Sequence, residues 1–177
     1  MRIIGGQFRR RLLRFPDSIG LRPTPGRVRE TLFNWLGQDL SAWRCLDLFA
    51  GSGALGFEAA SRGAAQVVLV ESAPRVLGAL EANRAALQHP PSLQIWRGDA
   101  LQYLDSATTK FDLVFIDPPY RQGWLERILA KLERVTTPES LLYVEAESAL
   151  ATFGPWRCQR HGVAGEVHYH LMQQEIQ

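Results

Sequence analysis

The stretch from Cys45 to Gly56, Cys-Leu-Asp-Leu-Phe-Ala-Gly-Ser-Gly-Ala-Leu-Gly, constrains the fold of this chain most strongly. Residues 45–49 are mostly apolar, as in a buried parallel strand, and residues 53–62 favour a helix. Gly51 and Gly53 lie between them. A strand, a glycine turn and a helix form the context in which a G-x-G-x-x-G match indicates a nucleotide-type ligand, although a purely structural turn is the alternative.

Two acids close to this turn bear on the kind of ligand. Glu71 ends a second apolar run, residues 67–71, about 20 residues beyond the first glycine, where a ribose-binding carboxylate belongs. Asp47 lies inside the first strand and would repel the pyrophosphate of a dinucleotide. S-adenosylmethionine carries an amino group and a sulfonium and no phosphate. Asp47 therefore favours S-adenosylmethionine over NAD.

Strand-like and helix-like segments alternate from residue 45 onward. The predicted strands are 45–49, 67–71, 93–97, 112–117 and 141–146, and the predicted helices are 53–62, 74–88, a short one ending near 105, and 123–134. This alternation predicts an α/β fold, a Rossmann-like and mostly parallel sheet with helices on both faces. Residues 156–161 and 167–172 flank a turn at 162–165, which predicts an antiparallel hairpin at one edge.

The N-terminal segment differs from the rest of the chain. Residues 1–15 predict a small hairpin that turns at Gly5 and Gly6. Thr24 is a predicted N-cap for a helix over residues 26–37, with Pro25 in its first turn. We therefore divide the chain into an N-terminal extension, residues 1–37, and a single compact domain, residues 38–177.

Charge is unevenly distributed. Residues 1–29 contain eight arginines and a single acid, Asp17, whereas the whole chain has a net charge of +2. A basic arm on a mildly acidic body is typical of proteins that bind a polyanion, above all nucleic acid, and a solvated basic hairpin is the alternative. The candidate nucleic-acid-binding residues are Arg9, Arg10, Arg11, Arg14 and Arg121.

The composition, 177 residues of which 46% are hydrophobic, is that of one globular domain. We expect a soluble cytoplasmic protein, because no apolar run approaches membrane-spanning length and no export signal is evident. Cys45 is expected to be a reduced core cysteine. His168 and His170 share a face of the last strand, but without further ligands at metal-site spacing we interpret them as exposed polar residues and predict no metal.

The strand over residues 112–117 leads directly into Asp117-Pro118-Pro119-Tyr120. Prolines cannot continue a central strand, so the chain must turn out at its carboxyl end, beside the ligand crevice. Asp117 and the Pro118 carbonyl can each accept one N–H of an exocyclic amine, Pro119 makes this geometry rigid, and Tyr120 offers a ring for stacking. An ordinary loop start is the alternative.

Together, Asp-Leu-Phe-Ala-Gly-Ser-Gly and Asp-Pro-Pro-Tyr resemble the class I adenosylmethionine-dependent amino-methyltransferases. The chain more closely resembles the RsmD family, bacterial 16S rRNA guanine-N2 methyltransferases, and this resemblance extends over nearly the whole chain. It is clearest in the opening Met-Arg-Ile-Ile-Gly-Gly, in Leu21-Arg22-Pro23-Thr24 and in residues 27–36. The diproline motif is also found in DNA and protein-glutamine enzymes, so the rRNA substrate is implied by the N-terminal half alone.

The resemblance implies a role for each matching position. Cofactor binding is implied for Thr24, Arg27, Asp47, Phe49, Gly51, Gly53, Glu71, Ser72, Asp99 and Ala100. The target base would be held by Asp117, Pro118, Pro119 and Tyr120, where the family often has phenylalanine at the last position. The implied partner is 16S rRNA, within an assembling small ribosomal subunit, and we expect a monomer.

Three other functions are compatible with parts of the sequence. An amino-methyltransferase acting on adenine would share the diproline motif, but DNA enzymes of that kind usually carry an added recognition segment. An NAD(P)-dependent oxidoreductase would share the glycine turn, and Asp47 argues against it. A non-catalytic RNA-binding module would be expected to lose Asp117, which is present.

Overall fold

The structure, a computed structural model, describes residues 1–17 and 23–176. Within these residues the strands form one sheet in the order β3-β2-β1-β4-β5-β8-β7-β6. The strands are β1 (Arg44–Asp47), β2 (Gln66–Glu71), β3 (Leu93–Arg97), β4 (Leu113–Ile116), β5 (Leu141–Ala146), β6 (Thr152–Phe153), β7 (Trp156–Ala164) and β8 (Val167–Gln174). β1 to β5 pair in parallel, and β8 joins β5 antiparallel. The predicted fold class and its C-terminal antiparallel hairpin are confirmed.

Helices cover both faces of the sheet. They are α1 (Gly26–Leu36), α2 (Ala54–Ser61), α3 (Pro74–Ala86), α4 (Ala100–Ser106) and α5 (Trp124–Leu129), followed by a short 3₁₀ helix (Leu132–Arg134). Apolar side chains of α1, α2 and α3 share one core cluster with alternate strand residues such as Val67 and Leu69. Those of α4 and α5 pack with the intervening residues, such as Val68 and Val70. Because successive side chains of a strand point to opposite faces of the sheet, each buried strand contributes to one core on each face.

The third glycine of the turn motif has a packing role. A Cβ atom placed on Gly56 would lie 2.0 Å from the Leu69 Cδ2 atom, so α2 can approach β2 this closely only without a side chain there. This explains the predicted close helix–strand packing in terms of one contact.

Two predicted elements differ from those observed. The helix expected over residues 123–134 ends at Leu129 and resumes as the 3₁₀ helix. The Arg134 guanidinium donates to the carbonyl oxygens of Leu104 and Asp105, which holds this segment against the end of α4. In the C-terminal hairpin the turn is at residues 165–166, and Gly162 lies within β7. A Cβ there would lie 2.2 Å from the Tyr169 ring, so this glycine makes room for an aromatic side chain rather than a turn.

The prediction that the histidines of β8 are exposed is wrong for His170, which is fully buried. The Leu150 N–H donates to its Nε2 atom at 2.9 Å, so Nδ1 carries the proton and donates to the Val144 carbonyl oxygen at 2.9 Å. His170 thus joins β8 to β5 and to the loop after it. His168 is half-buried and hydrogen-bonded to His161.

The N-terminal segment forms a looser hairpin than predicted. A single antiparallel bridge joins Arg2 to Leu12, and no regular strands flank it within residues 1–17. The reason lies in α2, because the N–H groups of Ile4 and Gly5 donate to the Glu58 carboxylate instead of to a neighbouring strand. The predicted division of the chain at residue 37 stays a prediction.

The predicted cap of α1 is wrong. The Thr24 side chain forms no capping hydrogen bond; Pro25 is the N-cap residue, and its carbonyl oxygen accepts from the N–H groups of Val28 and Arg29. The Thr24 carbonyl oxygen instead accepts from Arg29 Nε at 3.2 Å. Leu21 and Arg22, which belong to the same sequence motif, lie outside the described residues.

Glu58 is the centre of a buried ionic network. Its side chain is fully buried and forms ion pairs with Arg29 of α1 at 3.2 Å and with Arg62 at 3.0 Å. The Arg62 guanidinium also lies 4.5 Å from the centre of the Phe33 ring. One carboxylate therefore joins the N-terminal loop, α1 and α2.

Glu58→Gln should destabilise the protein by about 3 kcal/mol, because it leaves two largely buried guanidinium groups without their counter-charge. Urea unfolding followed by circular dichroism measures this change. Glu81→Gln is the matched control, since Glu81 pairs with Arg84 on the exposed face of α3, where an ion pair contributes little. Equal unfolding midpoints for the two variants would contradict the central role of Glu58.

Candidate active site

The strand order reverses between β1 and β4, and this reversal places two sequence motifs side by side. The glycine turn follows β1, and Asp117 with the diproline follows β4. The strands are hydrogen-bonded neighbours in which Asp47 is paired with Phe115. Ligands of open α/β sheets bind at such a switch point, beyond the carboxyl ends of the strands. The two motifs thus form the walls of one crevice.

Backbone geometry and Glu71 together hold the glycine turn open. Gly51 and Gly53 have φ values of +52° and +80°, which favour glycine. The Glu71 carboxylate accepts hydrogen bonds from the Gly51 N–H at 2.9 Å and from the N–H groups of Ser72 and Ala73 at 3.0 Å. These bonds use most of the roughly four acceptor sites of a carboxylate. Glu71 therefore orders the turn, and one acceptor site remains for a ligand hydroxyl.

Asp47 lies beneath the turn with 2% of its surface exposed. Burial raises the pKa of its carboxyl from 3.8 to about 7, and the charges of Glu71 and Glu145 act in the same direction. Hydrogen bonds from the backbone N–H groups of Phe49 and Gly56 partly oppose this rise. A buried acid of this kind gains from a cation bound next to it.

Asp117 has an acidic neighbour that the sequence motifs did not predict. Its carboxyl group interacts with that of Glu145, and burial together with this second acid raises the pKa of Asp117 well above its usual value. The Tyr143 hydroxyl donates to Glu145 Oε1 at 2.6 Å. A signal was available, because Glu145 follows the apolar run of β5 just as Asp117 follows that of β4.

The other residues implied in cofactor binding lie around the same edge of the sheet or on α1. Asp99 caps α4 by accepting from the Gln102 N–H, Ala100 is buried, and the Phe49 ring packs edge-on against Trp124. Thr24 is buried and Arg27 is exposed at the start of α1. Of the residues after Asp117, Pro118 is buried, whereas Pro119 and Tyr120 are exposed.

Arg9, Arg10, Arg11 and Arg14, the arginines of the N-terminal arm (residues 1–14), lie apart from the crevice. The N–H groups of Gln7 and Phe8 donate to Ser61, the last residue of α2, whereas the glycine turn precedes the first. The eight residues of α2 span about 12 Å at 1.5 Å per residue. The arm therefore packs at the end of α2 that is remote from Asp47 and Asp117.

These arginines are exposed and lack acidic partners. Arg9, Arg10, Arg11 and Arg14 are exposed, and none of them forms an ion pair with any residue in the described ranges. Arg121 lies differently, directly after Tyr120, with its N–H bonded to Glu147 at 2.8 Å. The structure thus places one candidate arginine at the crevice and four at the arm.

The residues of the crevice fit S-adenosylmethionine better than a phosphate-bearing cofactor. The Glu71 charge raises the pKa of Asp47, and Asp117 and Glu145 add two further acids nearby. Such a site repels phosphate and attracts the amino and sulfonium groups of adenosylmethionine. No cluster of three or more potential metal-ligating side chains occurs in residues 1–17 and 23–176.

Cys45 is buried in β1, as predicted, and burial raises the pKa of its thiol to about 12. Its thiol therefore stays protonated at neutral pH and packs as an apolar group. Within the part of the chain that the structure describes, no helix is long and apolar enough to span a membrane.

Solved structures share this architecture over the full chain. A structure described as "Putative methyltransferase yhhF from Escherichia coli" superposes with a TM-score of 0.88 and 45% identity, covering 100% of this chain and 99% of that one. Another, described as "putative methylase HI0767 from Haemophilus influenzae", gives a TM-score of 0.82 at 35% identity, covering 99% and 98%. The fold is that of a Rossmann-like methyltransferase.

Sequence relatives narrow the class. The family described as "Conserved hypothetical protein 95" matches residues 1–173. "Ribosomal RNA small subunit methyltransferase D" of Escherichia coli K12 is 46% identical over all of this chain and 91% of its own length. Its namesake from Haemophilus influenzae is 38% identical over 98% of this chain and 93% of its own length. The chain belongs to this family, the RsmD methyltransferases, and the resemblance inferred from its motifs is confirmed.

The raised pKa of Asp47 predicts how stability depends on pH. Between about pH 4 and pH 7 the unfolded carboxyl is ionised while the folded one retains its proton, so unfolding releases a proton and is favoured as the pH rises. The melting temperature of the ligand-free protein should therefore fall over this window, and less so in Asp47→Asn. Circular dichroism melts measure this, with Asp105→Asn, an exposed acid of α4, as the control. If the melting temperatures of Asp47→Asn and wild type depend on pH in the same way, the raised pKa of Asp47 is contradicted.

Proposed function

We propose that this protein transfers a methyl group from S-adenosylmethionine to the exocyclic N2 amino group of a guanine in 16S rRNA. We further propose that it acts in the cytoplasm as a monomer, on an assembling small ribosomal subunit. The position of Asp117 and its diproline, beside the glycine turn of β1, is the observation that carries the proposal. The full-length similarity to enzymes named ribosomal RNA small subunit methyltransferase D supports the substrate class.

The cofactor would be held by residues from several elements. Asp47, Phe49, Gly51 and Gly53 would surround its methionine part, Glu71 its ribose, Ser72, Asp99 and Ala100 its adenine, and Thr24 and Arg27 would cover it from α1. When bound, S-adenosylmethionine supplies a methyl group on a positively charged sulfur. Asp47 favours this cation through its charge, and Glu71 keeps the turn in a shape that admits the ligand.

The target base would be held by the residues after β4. Asp117 and the Pro118 carbonyl oxygen each accept one N–H of the exocyclic amine, which draws the nitrogen lone pair out of conjugation with the ring. Pro118 and Pro119 keep these acceptors rigid. Tyr120, with 41% of its surface exposed, offers its ring for stacking on the extruded base.

The position of the arm supports a substrate larger than one nucleotide. The arm packs about 12 Å along α2 from the glycine turn, so a ligand that contacts both must be extended. A structured RNA meets this requirement. Arg121 would contact the phosphates next to the extruded base, and the four arm arginines would contact more distant ones.

Asp117→Ala should reduce single-turnover methylation at least a hundredfold and leave the affinity for S-adenosylmethionine nearly unchanged, because Asp117 acts on the amine. The assay incubates the enzyme with labelled cofactor and either free 16S rRNA or protein-bound small-subunit particles, followed by nucleoside analysis. Labelled N2-methylguanosine is the expected product. N6-methyladenosine would show that the base is adenine, and the absence of labelled nucleoside from both substrates would overturn the proposal.

Tyr120 provides the matched pair of substitutions for the same assay. Tyr120→Ala should weaken capture of the base by about 1–3 kcal/mol, because a stacking surface is lost. Tyr120→Phe keeps the ring and should have little effect. Equal losses in the two variants would assign the role to the hydroxyl group instead of the ring.

The arm is tested by the salt dependence of RNA binding. Each phosphate that the arm no longer neutralises should reduce the slope of log affinity against log salt concentration by about 0.7 to 0.9. Replacing Arg9, Arg10, Arg11 and Arg14 together by Ala should therefore weaken rRNA binding most at low salt, with a slope reduced by the equivalent of about two or three phosphates. Calorimetry should show unchanged binding of S-adenosylmethionine. A wild-type salt slope in this variant would restrict the arm to a structural role.

A further inference from the structure

We propose that Glu145, held by the Tyr143 hydroxyl, is the final acceptor of the proton that the substrate amine loses, and that Asp117 relays this proton. This inference rests on the proposed function, since it concerns the amine that Asp117 would hold. The diproline motif contains Asp117 but not Glu145 or Tyr143, and both of these lie on the neighbouring strand.

Strand register brings the two acids together. Ile116 of β4 is paired with Val144 of β5, so the next residues along the two parallel strands, Asp117 and Glu145, lie side by side at the carboxyl edge. This register places their carboxyl groups where they can share one proton through a hydrogen bond. Glu145 is 6% exposed, and its Oε1 atom accepts from the Tyr143 hydroxyl at 2.6 Å.

A hydrogen bond between two carboxyl groups requires a proton, and the surroundings indicate which of them carries it. Tyr143 donates to Glu145 and stabilises its ionised form, whereas the Glu145 charge raises the pKa of Asp117. The proton therefore resides on Asp117, which donates to Glu145. Asp47 of β1 also acts on Asp117, and Tyr169 of β8, the strand partner of Glu145, acts on Tyr143. Neither of them supplies a positive charge.

Asp117 and Glu145 do not belong to a structural ion pair within the described residues. Among residues 1–17 and 23–176, neither Asp117 nor Glu145 forms an ion pair with a basic side chain. Two carboxyl groups that are largely removed from water and have no counter-charge destabilise the fold, and perturbed acids of this kind cluster at functional sites. A proton-accepting role accounts for their presence.

The proton transfer conserves atoms and charge. The amine nitrogen forms a bond to the methyl carbon while the bond from that carbon to sulfur breaks, and the electron pair of the broken bond remains on sulfur. The nitrogen then carries a positive charge and gives one proton to the outer oxygen of Asp117. Asp117 passes the proton on its other oxygen to Glu145. The pair gains one proton in total, and its net charge changes from −1 to zero.

Two substitutions predict distinct changes in the pH dependence of the reaction. The acidic limb of the rate profile reports protonation of Glu145 in the pair, so Glu145→Gln should displace this limb to the pH at which Asp117 alone is protonated. The maximal rate should fall about tenfold to a hundredfold, because Asp117 alone is a weaker base. Tyr143→Phe removes the bond that stabilises ionised Glu145, so the limb should move to higher pH.

The experiment measures single-turnover methylation of the rRNA substrate between pH 5 and pH 9 at saturating S-adenosylmethionine. Glu139→Gln is the matched control, because Glu139 is exposed and precedes the opposite end of β5; its profile should equal that of wild type. An unshifted limb in Glu145→Gln, or a limb of Tyr143→Phe that does not move to higher pH, would overturn the inference. If Glu145→Gln fails to fold, Tyr143→Phe still decides, because a limb that is unmoved or moves to lower pH contradicts the relay.

A second measurement needs no substrate. The melting temperature of ligand-free wild type should fall as the pH rises, since a carboxyl with a raised folded-state pKa favours unfolding above its ordinary pKa. Glu145→Gln should flatten this dependence and Glu139→Gln should not. Failure of wild type to methylate rRNA would contradict the proposed function but leave this test of the pair valid. An unflattened curve for Glu145→Gln would contradict the pair even if wild type is active.

Discussion

The Glu58 carboxylate is the interaction on which the arrangement of this molecule depends most. It is fully buried in α2 and accepts hydrogen bonds from the backbone of Ile4 and Gly5 and from the guanidinium groups of Arg29 and Arg62. A buried charge is costly unless all its partners are in place, so the N-terminal loop and α1 must adopt these positions for α2 to pack. The Arg29 guanidinium also donates to the carbonyl oxygen of Thr24. The position of Thr24, which is expected to cover the cofactor, therefore depends on the same network.

The acids of the crevice differ from Glu58 in their surroundings. Among the described residues, Asp47, Asp117 and Glu145 form no ion pair with a basic side chain, and burial raises the pKa of each. Such a group destabilises the ligand-free protein near neutral pH. A cationic ligand bound in the crevice stabilises these acids in their ionised form. This stabilisation contributes to the free energy of ligand binding. The buried network of Glu58, toward the other end of α2, stabilises the fold and so offsets the cost of these acids.

Much of the fold could be predicted because its signals are local. The strand, glycine turn and helix of residues 45–62 lie within one short window, and Asp117 could be found because two prolines end its strand. The missed features depend on residues distant in sequence. Glu145 lies beside Asp117 because of the register of β4 with β5, and His170 bonds to β5 and to the loop after it in the buried interior. Thr24 has the residue type of an N-cap, yet its carbonyl oxygen serves a guanidinium of α1, because tertiary contacts override local propensity.

The same long-range contacts determine how an RNA could be held. The arm is bonded through its backbone to Glu58 and Ser61 on α2 and, at Arg14, to Asn83 on α3, so its arginines extend from a fixed surface. The helix α2 runs from that surface to the glycine turn, so about 12 Å of helix separates the two. A rigid separation favours a partner whose phosphates are already fixed relative to the target base, because little ordering entropy is then lost on binding. Folded RNA satisfies this condition better than a flexible single strand.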